Sequence, residues 1–144
     1  LNWKRNGRLY IMKIKIEISV GELLDKISIL LIKKQKIKNS EKLNEIDREL
    51  KFLQSHGKTI RSKDNKQYDE FLEKLISINT KLWNIEDEIR IFEKNSDFTE
   101  GFISLARDVY FTNDERFSCK NDINKFYGSE VNEVKEYVDY KNNL

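Results

Sequence analysis

A long amphipathic segment most strongly limits what this chain can fold into. Between residues 66 and 93, large apolar side chains recur at alternating spacings of three and four residues. That period places them on one stripe of an α-helix, as in a helix that packs along its whole length against others. At about 1.5 Å per residue the helix would be roughly 40 Å long, so we predict a long central helix with shorter helices packed along it. The stripe consists of Tyr68, Phe71, Leu75, Ile78, Leu82, Ile85, Ile89 and Phe92.

The composition indicates an all-α fold in one domain. The 144 residues include no proline and only five glycines, and 36% of them are charged. Chains rich in Lys and Glu, with apolar residues at helical spacing, are typical of helical proteins. A domain of this size buries roughly 68–70% of the surface that its unfolded chain exposes, so a proper core is possible. We therefore predict a bundle of four to five helices.

Capping patterns predict where the first helices begin and end. Ser19 followed by Glu22 forms a capping box, so the first helix should span residues 19–38. A second helix should span residues 41–55. Residues 55–64 contain Gly57 and little periodicity, which favours a loop before the long helix.

The same reasoning divides the second half of the chain. Asp97 with Glu100 predicts a fourth helix over residues 98–110. Thr112 with Glu115 predicts a fifth helix that ends at Gly128, with a sharp corner between the two helices.

A minor two-stranded β pair is predicted to join the ends of the domain. Residues 12–18 alternate apolar and charged side chains, which favours a strand, and residues 136–140 are its expected partner. The single methionine, Met12, suggests that residues 1–11 are a non-native or upstream extension. The predicted domain then spans residues 12–140, and residues 141–144 form a frayed tail.

Charge and chemistry exclude several functional classes. The net charge of +2 comes from 27 basic and 25 acidic residues, a balance that argues against nucleic-acid binding. No apolar run approaches the roughly 18 residues of a membrane span. One histidine, His56, and one cysteine, Cys119, cannot supply the usual four ligands of zinc, and we expect no metal and no cofactor. A lone cysteine favours the cytoplasm, and the missing catalytic motifs favour a protein that is not an enzyme.

One cluster of residues could bind an anion. Four residues surround the predicted corner: Arg107, Asn113, Arg116 and Lys120. The amides of Asn113, Asp114 and Glu115 would point out of a helix N-terminus there. Such amides and cations together receive phosphate or carboxylate groups. The alternative is that acidic neighbours neutralise these cations in surface ion pairs.

Two other charged clusters have simpler interpretations. Glu86 and Arg90 stand four residues apart and should form a surface ion pair, although the acids around them could instead hold a divalent cation. The lysines of residues 33–38 suit the C-terminal end of the first helix, and nucleic-acid contact is the alternative.

A second apolar row on the long helix predicts an interface. Leu72, Ile76 and Trp83 lie beside the main stripe, so the helix offers more apolar surface than its neighbours can cover. This row favours a homo-oligomer, or contact with another protein.

The sequence also resembles a family of small uncharacterised bacterial and phage proteins. The resemblance rests on residues 16–30 (IEISVGELLDKISIL), 82–90 (LWNIEDEIR), 105–124 (LARDVYFTNDERFSCKNDIN) and 137–140 (YVDY). Relatives of this kind are sometimes found beside, or fused to, proteins that handle surface polysaccharides. The resemblance covers residues 12–140, and no catalytic residue can be carried over from it.

Two functional hypotheses follow. The first is a non-catalytic helical interaction or assembly module. The second is an anion-binding accessory domain, or an enzyme, acting on a phosphorylated or nucleotide-linked sugar in surface-polysaccharide metabolism.

Overall fold

Four α-helices and a short β-hairpin make up the fold. The computed structural model describes residues 2–5 and 8–140, with side chains from residue 12 onward. The hairpin pairs β1 (Asn2–Arg5) and β2 (Arg8–Ile11) in antiparallel register. The helices are α1 (Val20–Lys36), α2 (Ser40–Arg61), α3 (Asn65–Lys94) and α4 (Glu100–Tyr127). The predicted all-α bundle is therefore confirmed.

Helix α1 contributes more buried residues to the bundle than any other helix. Like α3, it contacts each of the other helices. Asp25 meets Asn79 of α3 and Arg116 of α4, and Lys36 meets Asn84 further along α3, so α1 runs parallel to α3 and antiparallel to α4. The long helix predicted over residues 66–93 matches α3, but the central position predicted for it is not shown.

Two apolar clusters on adjacent faces of α1 form the core. One joins α1 to α3 and α4, and the other joins α1 to α2. Burying each Leu or Ile side chain stabilises the fold by about 1.5–3 kcal/mol. The first cluster consists of Leu24, Tyr68, Leu75, Ile78, Cys119 and Ile123, and the second of Leu23, Ile27, Leu30, Ile46 and Leu50.

The loop predicted over residues 55–64 is wrong, because α2 continues to Arg61. Gly57 is buried inside this helix, where a Cβ atom would lie 2.5 Å from the hydroxyl oxygen of Tyr68. The glycine therefore permits close packing of α2 on α3 and does not form a turn. The true turn is short, and the Asp64 side chain caps α3 by accepting a hydrogen bond from the Gln67 amide at 2.9 Å.

The predicted corner between a fourth and a fifth helix is also wrong. Residues 100–127 form one continuous helix, α4, and Thr112 lies fully buried in its interior instead of capping a new helix. No glycine or proline occurs between Gly101 and Gly128, so nothing in this stretch interrupts the backbone hydrogen bonds. Gly128 ends the helix in the left-handed conformation, as predicted.

The predicted strand pair between the ends of the domain is not found. Residues 12–19 and 132–140 contain neither helix nor strand, and the side chains of Ile14 and Ile16 are exposed. Residues 129–140, which we call the strap, instead run back along α4 and bind it through side chains. The strand prediction failed because alternation alone does not supply a partner strand. The tail predicted at residues 141–144 lies outside the described residues.

The first helix begins where its capping box predicts. The Ser19 side chain accepts a hydrogen bond from the Glu22 amide at 3.0 Å. Across the described part of the chain, no helix is long and apolar enough to cross a membrane.

Close contact between α1 and α4 depends on Gly21. A Cβ atom at this position would lie 2.5 Å from the Lys120 carbonyl oxygen and 2.8 Å from Asn124 Oδ1. We predict that Gly21→Ala lowers the free energy of unfolding by about 1–3 kcal/mol, because backbone must shift to admit the methyl group. Urea unfolding followed by circular dichroism measures this change. Gln35→Ala, exposed on the same helix, is the control and should be near neutral. Equal stabilities of the two variants would contradict the prediction.

Candidate functional site

A set of buried polar side chains, which we call the polar layer, follows α4 where this helix meets α1 and α3. Burying charged or polar groups is costly unless each has a partner, so such a layer needs an explanation beyond packing. Its members are Asp25, Ser28, Asn79, Thr112, Lys120 and Asn124, and the partly exposed Arg116 completes it.

Asp25 is the centre of this layer. The Arg116 guanidinium donates through Nε to Asp25 Oδ1 at 2.9 Å and through Nη2 to Oδ2 at 2.5 Å. Asn79 Nδ2 donates to Asp25 Oδ1 at 2.9 Å and to Ser28 Oγ at 2.8 Å. Hydrogen bonding to Asp25 raises the pKa of Arg116 above its ordinary value despite partial burial. The guanidinium is therefore charged and held in one orientation.

Lys120 forms a second buried ion pair one turn further along α4. Its Nζ lies 3.0 Å from a carboxylate oxygen of Glu22 on α1, and it also pairs with Glu133 of the strap. Burial lowers the pKa of Lys120, but the hydrogen bonds to Glu133 and Glu22 outweigh it, and the pKa is raised. This lysine thus remains protonated and links α4 to both α1 and the strap.

The N-terminus of α1 is tied to the end of α4. The Gly21 amide donates to Asn124 Oδ1 at 2.7 Å, and the Val20 amide donates to Ser129 Oγ at 3.3 Å. These bonds satisfy two donors at the first turn of α1 that have no partner within the helix.

A large cavity lies between α4 and the strap, and we call it the strap-side cavity. Its volume is about 1060 Å³. The Asp114 carboxylate binds Lys135 and the Tyr140 hydroxyl of the strap, and the Tyr140 ring lies 5.3 Å from the rings of Tyr110 and Phe111. The hydrogen bond to Asp114 raises the pKa of Tyr140 to about 12. Ion pairs and ring contacts thus hold the strap against α4, and the cavity lies between the strap and this helix.

A smaller groove opens on the other side of the polar layer, between α1 and α3. We call it the Trp83 groove, and its volume is about 330 Å³. The ammonium of Lys36 lies 5.9 Å from the centre of the Trp83 ring. Arg116 lines both this groove and the strap-side cavity, so one side chain separates the two spaces. The groove is lined by Ile29, Ile32, Asn79, Leu82, Trp83, Glu86, Asp87, Arg90 and Arg116.

The structure brings together three of the four residues predicted to bind an anion. Asn113, Arg116 and Lys120 line the strap-side cavity, whereas Arg107 does not and lies 5.7 Å from the Phe111 ring centre. The helix N-terminus predicted after Asn113 does not exist, because this residue lies inside α4. The two predicted cations that line the cavity, Arg116 and Lys120, are already paired with Asp25, Glu22 and Glu133.

The predicted interface residues are all partly buried. Leu72 packs against both core clusters, and Trp83 borders the groove named after it. The ion pair predicted between Glu86 and Arg90 is present. Within the described ranges, no group of acidic, histidine and cysteine side chains could hold a metal ion.

Sequence reasoning missed Asp25 and Asn79, the two residues that organise the site. Each follows an apolar residue on a predicted helix stripe, Leu24 and Ile78 respectively, and each is buried. A short polar residue inside a wide apolar stripe was therefore the available signal, since buried polar groups require partners.

Fold and site together define a small helical protein with a buried ion-pair layer between two cavities. A model for a family of unknown function (DUF6165) matches residues 14–141, so the chain belongs to this family. No curated protein and no solved structure matches the chain.

Removing one partner of the Asp25–Arg116 ion pair should destabilise the fold. Arg116→Met should lower the free energy of unfolding by about 3–5 kcal/mol, because it leaves the buried Asp25 carboxylate without a counter-charge. The double variant Asp25→Leu, Arg116→Met should be more stable than this single variant, since neither charge remains. Urea denaturation of both variants measures the difference, with the exposed Arg107→Met as control. A loss below about 1 kcal/mol in Arg116→Met would show that the pair behaves as a surface ion pair.

Proposed function

We propose that this protein is a non-catalytic helical interaction module that assembles into a homo-oligomer through the end of the α3–α4 hairpin. The relevant segment, residues 86–111, is called the arm. The structure describes all of it, and none of its residues is buried. Large apolar side chains are among its exposed residues: Ile91, Phe98 and Ile103 are 57%, 55% and 54% exposed.

The arm lacks the third layer that a helical hairpin needs. Helices bury their apolar stripes only against another element, and two helices alone leave much of that surface in water. The first cluster of the core holds α1 against α3 and α4 only around residues 68–78 and 119–123. A second copy of the arm, packed antiparallel across a two-fold axis, would complete a four-helix arrangement.

Charge supports a second copy as the partner. The arm carries seven acidic and three basic residues. Residues 33–42, at the turn between α1 and α2, carry five basic residues and one acidic residue. This turn lies near the foot of the arm, where Lys36 Nζ is 3.4 Å from Asn84 Oδ1. Antiparallel packing would place the acidic tip of one arm beside the basic turn of the other copy.

Light scattering on a size-exclusion column tests the assembly, at two protein concentrations about tenfold apart. We expect a dimer for the native chain and a folded monomer for Ile91→Lys with Ile103→Lys. Phe52→Lys is the matched control, because Phe52 is 63% exposed on α2, away from the arm. A native chain that is monomeric at both concentrations, or a control that dissociates equally, would rule out this interface.

We also propose a cellular compartment and a functional context for the protein. Cys119 is a free, buried thiol, and burial raises its pKa. An unpaired thiol of this kind fits a reducing compartment, so we place the protein in the cytoplasm. The resemblance to bacterial and phage proteins leads us to place it beside proteins of surface-polysaccharide metabolism.

A second candidate function is an accessory domain or enzyme that binds a phosphorylated or nucleotide-linked sugar in the strap-side cavity. Its support is the shared cavity wall formed by Asn113, Arg116 and Lys120. Since Lys120 is bound by both Glu22 and Glu133, an entering anion would displace Glu133 and release the strap.

Thermal shift with inorganic phosphate and UDP-glucose tests this candidate. We expect both compounds to raise the melting temperature of the native chain, because they bind only the folded state. Asn113→Ala should reduce the shift, whereas Asn121→Ala, on the same helix but outside the cavity, should leave it unchanged. The candidate fails if neither compound changes the melting temperature.

A further inference from the structure

The Trp83 groove has the chemistry of a binding site for an uncharged polyhydroxylated ring. We propose that it binds one ring of a neutral saccharide. This site differs in place and in ligand charge from the strap-side cavity. Its lining residues Glu86, Asp87 and Arg90 lie at the foot of the arm. The groove lies between α1 and α3, and Ile91, Phe98 and Ile103 do not line it.

The polar layer supplies a fixed acceptor and a fixed donor to the groove. Asn79 uses its Nδ2 to bind Asp25 and Ser28, while none of the described residues donates to its Oδ1. Arg116 binds Asp25 through Nε and Nη2, and no hydrogen bond from its Nη1 is found in the described chain. The Arg116 side chain is 27% exposed, so this nitrogen is not sealed from solvent. Because Asp25 holds both side chains in place, little order is lost when they bind a ligand.

The other wall of the groove combines an aromatic ring with carboxylates. Trp83 is partly buried, and the Lys36 ammonium lies 5.9 Å from the centre of its ring. Glu86 is bound to Arg90. Asp87 is exposed, and no ion pair or hydrogen bond to its carboxylate is found within residues 12–140. A free carboxylate accepts two hydroxyl hydrogen bonds, while the face of an indole ring attracts the weakly positive C–H bonds of a ligand.

Charge decides between a neutral and an anionic ligand. The groove contains the cations Arg90 and Arg116 and the anions Glu86 and Asp87, with the Asp25 carboxylate directly behind Arg116. With the Lys36 ammonium beside Trp83 included, three positive groups stand against three negative ones, so the groove has no net positive charge to attract phosphate or carboxylate. A ligand with several hydroxyl groups can donate to Asp87 and Glu86 and accept from Arg116 at the same time. The volume of about 330 Å³ is at the small end for ligand sites, which suits a single ring.

The test is titration of the ¹⁵N-labelled full chain with methyl glycosides of glucose, galactose, mannose, rhamnose and N-acetylglucosamine. The chain has two tryptophans, Trp83 and Trp3, so the indole N–H signal of Trp3 is an internal reference. We expect at least one glycoside to move the Trp83 signal saturably while the Trp3 signal stays in place. Asp87→Asn should weaken binding by roughly tenfold, the loss expected for hydrogen bonds to a charged group.

The matched control is Glu88→Gln, which removes a neighbouring carboxylate on α3 that does not line the groove. Its affinity for the same glycoside should equal that of the native chain. The proposal is overturned if no glycoside moves the Trp83 signal, or if Asp87→Asn and Glu88→Gln bind alike. It is also overturned if inorganic phosphate moves the signal and the glycosides do not.

Discussion

The ion pair between Asp25 and Arg116 is the interaction on which the rest of the structure depends. It joins α1 to α4 inside the bundle, and Asn79 attaches α3 to the same carboxylate. Apolar stripes tolerate sliding of one helix along another, because one Leu–Ile contact resembles the next. A single buried carboxylate with two dedicated donors has one correct alignment, so it fixes the register of three helices. The cost is a core that is less stable than a purely apolar one would be.

Close approach of α1 and α4 makes that ion pair possible, and it also shapes the cavities. Gly21 lets the first turn of α1 touch the backbone of α4, which brings Glu22 and Asp25 within reach of Lys120 and Arg116. The strap-side cavity borders the polar layer on one side, and the Trp83 groove borders it on the other. Arg116 lines both cavities, so the contact that positions this side chain contributes to the wall of each.

The lengths of α1 and α3 followed from the sequence, whereas the lengths of α2 and α4 and the contacts between helices did not. Periodicity and capping at Ser19 gave α1 and α3 closely, because these signals are local. Gly57 was misread as a loop residue because its role, contact with Tyr68 of another helix, is tertiary. Thr112 was wrongly predicted to be an N-cap, because its burial inside α4 results from tertiary packing that local sequence does not show. At the site, Arg116 and Lys120 were identified from the sequence as candidate anion-binding residues. Their acidic partners on α1 lie about 90 to 100 residues away in the chain, so local patterns could not reveal the ion pairs.

The arm and the region around the polar layer differ in how far they bury apolar side chains. Around the layer, helices α1, α3 and α4 bury their apolar side chains against one another, whereas residues 86–111 bury none completely. Glu86, Asp87 and Arg90 belong to the arm and also line the Trp83 groove. A ligand in the groove would therefore contact the polar layer through Asn79 and Arg116, and the arm through Asp87. Because such a ligand would restrict the foot of the arm, the two proposals together predict that ligand binding and the association of two arms would change each other's free energy by the same amount.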